Sequence, residues 1–129
     1  MLAYIDANLI IYLIDQNAQY APVVKAWLAA NPCDLASSDL GRLEALILPV
    51  RNQDQQRIAE FEAFFQAGIK YMAPFTRAVY DRAIQIRAVL NLKAPDALHM
   101  AAAIESSCDV YVTKDHHFKK CTGITVEVI

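Results

Sequence analysis

The 129 residues of the chain include 12 basic and 14 acidic side chains, which give a net charge of −2, and 56% of the residues are hydrophobic. This length suits one domain, residues 1–129, and the charge argues against a generally cationic nucleic-acid-binding surface without excluding nucleic acid as a substrate. The chain has no apolar run of about 18 residues, no basic leader and no CxxC pair among its three cysteines, so we expect a reduced, cytoplasmic protein without a membrane span.

The first part of the chain combines a strand pattern with two helical patterns. Residues 2–5 form an apolar run that predicts a strand, and Asp6 ends it. The apolar run 9–14 predicts a buried helix. Pro22 then begins an amphipathic helix, which ends at the Asn-Pro pair 31–32 because such a pair interrupts a helix.

A second strand and a third helix follow. Residues 34–36 predict the strand, and Ser37 or Ser38 is expected to cap the helix because serine hydroxyls accept hydrogen bonds from the first turn. Glu44 lies on this helix, at the border of its expected buried face. The apolar residues assigned to that helix are Leu40, Leu43, Ile47 and Leu48.

Two further helices and a short strand occupy residues 53 to 90. Residues 53–66 have their aromatic side chains on one face, which predicts an amphipathic helix, and Gly68 ends it. Residues 69–72 predict a strand. Thr76 is expected to cap the next helix, which reaches about Leu90.

The last part of the chain predicts a buried helix and two strands. Pro95 suits the first turn of the helix, and Asp96 follows it in the same turn, where a carboxylate is favoured by the helix dipole. Residues 110–112 predict a buried strand with Asp115 just beyond it, and residues 124–129 predict a final strand. The helix is apolar nearly all round and should pack on a sheet, through Ala97, Leu98, Met100, Ala101, Ala102, Ala103 and Ile104.

Short strands that alternate with helices predict an α/β fold with a mostly parallel sheet. In such sheets ligands bind beyond the carboxyl ends of the strands. Asp6 and Asp115 follow predicted strands, whereas Asp96 and Glu44 lie on helices that can flank the same edge. Four carboxylates therefore have a physical reason to converge.

Converging carboxylates raise one another's pKa values unless a cation is present. Hard oxygen ligands without an obligatory histidine or cysteine favour Mg²⁺ or Mn²⁺ over zinc. Mg²⁺ keeps several waters and typically holds a substrate phosphate, which suits phosphodiester hydrolysis. The four acids therefore predict a metal-dependent hydrolase of phosphodiesters.

Each acid also has an interpretation that involves no metal. Asp96 could be a helix N-terminal charge, and Asp6 and Asp115 could simply terminate strands. Glu44 could pair with a neighbouring arginine, which is a common and weak arrangement. The metal hypothesis rests on the four positions jointly, because all of them lie at one predicted edge.

Four segments make the chain resemble a known family. They are YIDANLIIYLI at the start, SSDLGRLEAL in the middle, and APDALHMAAAI and VYVTKDHHF near the end. In order, spacing and total length they resemble the PIN-domain nucleases, and among them the small VapC-like toxins of toxin–antitoxin pairs. The resemblance covers almost the whole chain.

The resemblance implies a three-layer α/β/α sandwich and a Mg²⁺- or Mn²⁺-dependent endoribonuclease. It also implies a cognate antitoxin partner and a homodimer. Among its implied site residues, the catalytic, metal-binding acids are Asp6, Glu44, Asp96 and Asp115, and the supporting polar residues are Asn8 and Thr113.

Several cations are candidates for contacts with RNA phosphates, because cations supply most non-specific affinity for nucleic acid. Lys114 is the first candidate, since it adjoins Asp115. Taken singly, each cation is more simply interpreted as a solvated charge. The other candidates are Arg42, Arg87, Lys93, Lys119 and Lys120.

The histidines favour no separate site. His116, His117 and Cys121 lack a second ligand pair at zinc-site spacing. His99, on the buried helix, is interpreted as a satisfied core or edge histidine rather than a base.

Two alternatives to the nuclease stay open. A catalytically weak PIN-like domain that binds a protein or RNA partner is suggested by the high apolar content and by His117, near which the family often has a further acid. The family also commonly has a small hydroxyl residue at the position of Ala7. A phosphoacceptor signalling domain is disfavoured. Such a domain requires paired acids after the first strand and an acceptor aspartate after a strand in the middle of the chain, whereas this sequence has the single acid Asp6 and no convincing acceptor at Asp54.

Overall fold

The computed structural model describes residues 1–129 and contains five strands and six helices. A π-helical turn, Phe64–Gly68, continues the fourth helix, and a 3₁₀ turn, His116–Lys120, follows the fourth strand. The elements in chain order are β1 Leu2–Ile5, α1 Ala7–Ile14, α2 Ala21–Ala30, β2 Asp34–Ser37, α3 Asp39–Arg51, α4 Gln55–Ala63, β3 Tyr71–Met72, α5 Arg77–Leu90, α6 Ala94–Glu105, β4 Val110–Thr113 and β5 Thr125–Val128.

All five strands form one parallel sheet in the order β3-β2-β1-β4-β5. The chain runs outward from β1 through β2 to β3 on one side and then through β4 to β5 on the other. Ile5 pairs with Val112, so β1 and β4 end side by side. The strand order reverses here, which is where open α/β sheets form a crevice. The predicted parallel α/β fold is confirmed.

The core lies on both faces of the sheet, because successive strand residues point to opposite faces. Tyr4 packs with residues of α5 and α6, such as Val79 and Met100. Ile5 packs on the other face with residues of α1 and α4, such as Leu9 and Phe61. The molecule is therefore the three-layer sandwich that was expected.

Local sequence signals set the helix ends. Ser38 caps α3 by accepting a hydrogen bond from the Gly41 N–H at 3.2 Å. Thr76 caps α5 by accepting one from the Val79 N–H at 3.3 Å. Pro95 lies in the first turn of α6, as expected.

The two edge strands are shorter than the apolar runs that predicted them. Only Tyr71 and Met72 of the run 69–72 form the strand, paired with Ala36 and Ser37 of β2. The last strand is Thr125–Val128 rather than 124–129. The bounds of this last strand match those of its neighbour β4, Val110–Thr113, residue for residue.

The apolar face expected for α3 is wrong. Leu43 is 54% exposed, Ile47 46% and Leu48 57%. The face that packs inward is made instead of small or compact residues at helical spacing. Small side chains let α3 approach its neighbours closely, which leaves the branched residues outside. The inward residues are Gly41, Ala45, Leu46 and Pro49.

Helix α5 also leaves part of its apolar surface uncovered. Val79 and Ala83 are buried, whereas Tyr80, Ile84 and Val89 are exposed. An apolar groove of about 450 Å³ lies between α5 and α6 and includes Tyr80 and Ile84. None of the helices has the length and apolar character needed to cross a membrane.

Candidate active site

Thr113 joins the ends of the two central strands. Its side chain is fully buried, and its Oγ1 donates a hydrogen bond to Asp6 Oδ2 at 2.7 Å. The same oxygen accepts a hydrogen bond from the Asp115 backbone N–H at 2.9 Å. Thr113 therefore contacts the carboxylate of Asp6 and the backbone of Asp115.

Asp6 is held in two ways. Besides Thr113, its Oδ1 accepts a hydrogen bond from the Asn8 backbone N–H at 3.0 Å, which makes Asp6 the N-cap of α1. The Asn8 side chain is exposed and forms no hydrogen bond. Any support that Asn8 gives to Asp6 in this structure comes from its backbone.

Asp96 and Asp115 line one cleft of about 390 Å³ beyond the carboxyl end of the sheet. No hydrogen bond or ion pair engages the half-buried Asp96 carboxylate. Burial raises the pKa of Asp96, and the charges of Asp115, Asp6 and Glu44 raise it further, while His99 lowers it. The charges of the other three predicted acids therefore all reach Asp96.

Asp115 is stabilised in its ionised form by its neighbour in the 3₁₀ turn. Partial burial by itself would raise the pKa of Asp115. The backbone N–H of His117 at 2.8 Å and its Nδ1 at 2.7 Å both contact Asp115 Oδ1, and they lower that pKa below its ordinary value. His117 is thus a hydrogen-bond partner of an acid at this edge.

Glu44 is attached to the core by a chain of hydrogen bonds. Its Oε1 contacts His99 Nε2, and His99 Nδ1 lies 2.7 Å from Tyr4 Oη. Tyr4 Oη lies 2.8 Å from Ser38 Oγ. Burial raises the pKa of Tyr4 far above its ordinary value. His99 is 5% exposed with both ring nitrogens bonded, in agreement with its interpretation as a satisfied buried histidine.

The donor set fits a hard divalent cation in chemistry and in charge. Burial and the charges of Asp115, Asp6 and Glu44 disfavour the ionised form of Asp96, which is the conflict that a bound cation relieves. As the side chains are placed, no group of three His, Cys, Asp or Glu residues is gathered closely enough to hold a metal ion. Asp6, Glu44 and Asp115 each accept hydrogen bonds from protein donors, and an ionised carboxylate keeps further lone pairs that can face a cation.

The cations proposed for RNA lie in different surroundings. Lys93 and Lys120 line the cleft that contains Asp96 and Asp115. Lys114 lies over the Tyr20 ring, with its Nζ 4.7 Å from the ring centroid. The two arginine candidates both have protein partners. Arg42 forms an ion pair with Glu62 at 2.8 Å, and Arg87 donates a hydrogen bond to the Leu92 carbonyl.

The contact between His99 and Glu44 was missed by the sequence reasoning. A signal was available, because His99 lies three residues after Asp96 on α6 and hence on the same side of that helix. What the sequence could not supply was the proximity of α3, which brings Glu44 to the ring. For Tyr4 the sequence likewise predicts only a place in a strand, and for Ser38 only a helix cap.

Comparison with known proteins gives one family and a consistent set of solved structures. The family model of the PIN domain matches residues 3–123. VapBC2 from Rickettsia felis, bound to a promoter DNA fragment, superimposes with a TM-score of 0.76 at 17% identity over 98% of each chain. A toxin–antitoxin complex from Klebsiella pneumoniae gives 0.74 at 21% identity over 95% of each chain. None of the curated proteins compared with the chain matches it.

A third structure is VapC20 from Mycobacterium tuberculosis, a toxin that cleaves the sarcin–ricin loop. Its TM-score is 0.69 at 13% identity, over 84% of this chain and 86% of that one. At these identities the structures establish the shared fold, and the family model covers nearly the whole sequence. The chain belongs to the PIN domain family.

Proposed function

We propose that the chain is a Mg²⁺- or Mn²⁺-dependent endoribonuclease and the toxin of a toxin–antitoxin pair. The observation that carries this proposal is the placement of Asp6, Asp96 and Asp115 beside the carboxyl ends of β1 and β4, with Glu44 on α3 near enough that the charges of Asp115, Asp6 and Glu44 all raise the pKa of Asp96. Membership of the PIN domain family supports nuclease activity. The RNA-cleaving toxin VapC20, which shares the fold, supports RNA as the substrate.

In this proposal each acid has a role set by its attachment. The carboxylate of Asp6 is held by Thr113 and that of Asp115 by His117, whereas Asp96 is the ligand without a hydrogen-bond partner. Glu44 supplies the fourth carboxylate from α3. A bound Mg²⁺ or Mn²⁺ would supply Lewis-acid stabilisation of the phosphate and lower the pKa of an attacking water.

The cleft gives the RNA backbone a place to bind. Lys93 and Lys120 border it beside Asp96 and Asp115, so two cations and two of the proposed metal ligands share one opening. Phosphates held by the lysines would lie next to the acids. This arrangement reconciles a chain of net charge −2 with a polyanionic substrate.

The decisive test is cleavage of an unstructured RNA pool by the purified chain in Mn²⁺. We expect Asp6→Asn and Asp96→Asn to lower the rate by on the order of 100-fold or more, comparable to the loss of a single electrostatic stabiliser at other active sites. Asp81→Asn is the matched control, because Asp81 is an exposed acid on α5 that pairs with Arg77. Equal cleavage by all four proteins, or cleavage that survives chelation of divalent ions, would refute the proposal.

The toxin role has its own test in cells. Solved toxin–antitoxin complexes with this fold motivate an antitoxin partner, and the exposed apolar residues of α3 and α5 offer surfaces for it and for a second copy of the chain. We expect expression of the chain to arrest growth, Asp96→Asn to abolish the arrest, and co-expression of any small antitoxin-like protein encoded immediately upstream to restore growth. Expression without any effect on growth would argue for a housekeeping nuclease.

A second candidate is a catalytically weak PIN domain that acts by binding a partner. The observation that favours it is the engagement of Asp6, Glu44 and Asp115 by protein donors, with no three ligands gathered at one point. Calorimetry separates the two candidates. Absence of Mn²⁺ binding together with a tight protein complex favours the binding module, whereas Mn²⁺ binding that is lost in Asp96→Asn favours the nuclease.

A further inference from the structure

A buried hydrogen-bond network connects the elements that carry three of the four acids. Tyr4 lies on β1, the strand that ends at Asp6. Ser38 caps α3, the helix that carries Glu44. His99 lies on α6, one helical turn after Asp96. The network is therefore placed to set the relative positions of three proposed metal ligands.

The proton positions in the network follow from the donors available. An ionised carboxylate only accepts hydrogen bonds, so the nitrogen that faces Glu44 must carry a proton. If Tyr4 donates to His99 Nδ1, the ring is the neutral tautomer with its proton on Nε2. If Tyr4 donates to Ser38 instead, Nδ1 donates to Tyr4 and the ring carries both protons. In each case Nε2–H donates to Glu44 Oε1.

The ring has little freedom to move. His99 is 5% exposed, and Tyr4 and Ser38 are fully buried. A Cβ on Gly41 would lie 3.8 Å from His99 Cε1, so the backbone of α3 packs directly beside the ring. A bond to one oxygen of Glu44 leaves the other oxygen available to a cation.

We infer that His99 is a positioning residue that holds Glu44 in place at the acid cluster, with Tyr4 and Ser38 fixing the orientation of its ring. The inference rests on the proposed function, because Glu44 matters here as a metal ligand. Outer partners of this kind typically contribute 10–100-fold to metal affinity or activity. His99 itself contacts neither metal nor RNA in this role.

The first test measures Mn²⁺ affinity by calorimetry in His99→Leu and His99→Gln. We expect His99→Leu to lose about tenfold or more in affinity, as for other outer partners, and His99→Gln to retain most of it, because a glutamine amide can still donate to Glu44. Met100→Leu is the matched control: Met100 is the fully buried neighbour on α6, and a swap of similar volume is tolerated. A folded His99→Leu protein that binds Mn²⁺ as tightly as the parent would overturn the inference.

The second test needs no metal. Long-range ¹H–¹⁵N spectra of the metal-free protein should show His99 protonated at Nε2, and Glu44→Gln should shift that ring signal. An unprotonated Nε2, or a ring signal that is unaffected by Glu44→Gln, would overturn the inference even if His99→Leu fails to fold. A parent chain that binds no Mn²⁺ refutes the proposed function as well, whereas Mn²⁺ binding that is independent of His99 refutes the inference alone.

Discussion

At the scale of single residues, a substitution of Asp96 can distinguish a structural role of its carboxylate from a functional one. A carboxylate in the first turn of a helix usually stabilises the protein by about 0.3–1 kcal/mol. Here burial and three acidic neighbours raise the pKa of Asp96, so its ionised form is disfavoured in the folded chain. The two effects predict opposite consequences for the same substitution.

We predict that Asp96→Asn raises the thermal stability of the metal-free protein at pH 7 while it abolishes RNA cleavage. The folded-state pKa of Asp96 is raised above 3.8, so the parent loses stability as pH rises through that folded-state pKa. The advantage of the variant should therefore be largest at neutral pH and disappear as pH falls toward 3.8. Thermal melts in a chelating buffer across this range measure it.

Asp39→Asn is the matched control for this prediction, because Asp39 also lies in the first turn of a helix but is exposed. It should lose a few tenths of a kcal/mol, as expected when a helix-terminal charge is removed. If Asp96→Asn loses stability like Asp39→Asn, the charge of Asp96 is a simple helix-end charge.

At the scale of elements, α3 shows why an apolar pattern can predict the wrong buried face of a helix. Leu43, Ile47 and Leu48 belong to its predicted apolar face, yet all three are exposed. The buried face is chosen by fit: at Gly41, a Cβ would lie 2.5 Å from Ser37 Oγ. Steric room at the sheet therefore decides the rotation of α3, and with it the position of Glu44.

We predict that Gly41→Ala destabilises the protein by roughly 1–3 kcal/mol, as overpacking does, although alanine in a helix is normally about 1 kcal/mol better than glycine. The added Cβ collides with Ser37 Oγ, a buried hydroxyl that has no hydrogen-bond partner. Cleavage should fall in parallel, because α3 carries Glu44. Urea unfolding and a cleavage assay measure the two effects.

Ser37→Ala provides the control and the rescue for this collision. Alone it should leave stability unchanged or slightly raised, since it removes an unsatisfied buried group. In combination with Gly41→Ala it should recover most of the lost stability. A double variant as unstable as Gly41→Ala would show that α3 is held by other contacts.

At the scale of the whole molecule, the exposed apolar surface is unusually organised. Seven of the ten exposed large hydrophobic residues lie on α3 and α5, and α5 forms an apolar groove with α6. Contiguous apolar patches of this kind mark interaction sites. They agree with the positive mean hydropathy of +0.21.

We predict that the isolated chain associates through the α5 face. Light scattering should give twice the chain mass of 14.4 kDa for the parent and the single mass for Ile84→Glu, because a charge would then occupy the apolar groove. The fold should tolerate this change, since Ile84 is 62% exposed. Gln85→Glu, on the adjacent exposed position, should keep the parent mass. A monomeric parent, or a dimeric Ile84→Glu, would contradict the assignment of this face.

The sequence by itself determined the α/β class, the order of the elements and the acids at their ends, because strand periodicity, caps and helix breakers are local. Thr76, Ser38 and Pro95 mark helix starts in any context, and Asp6 and Asp115 follow strands wherever those strands lie. The tertiary structure decided which face of α3 is buried, how short β3 is, and that His99 contacts Glu44. These features depend on the fit between distant segments, such as Gly41 against Ser37, which no local pattern encodes.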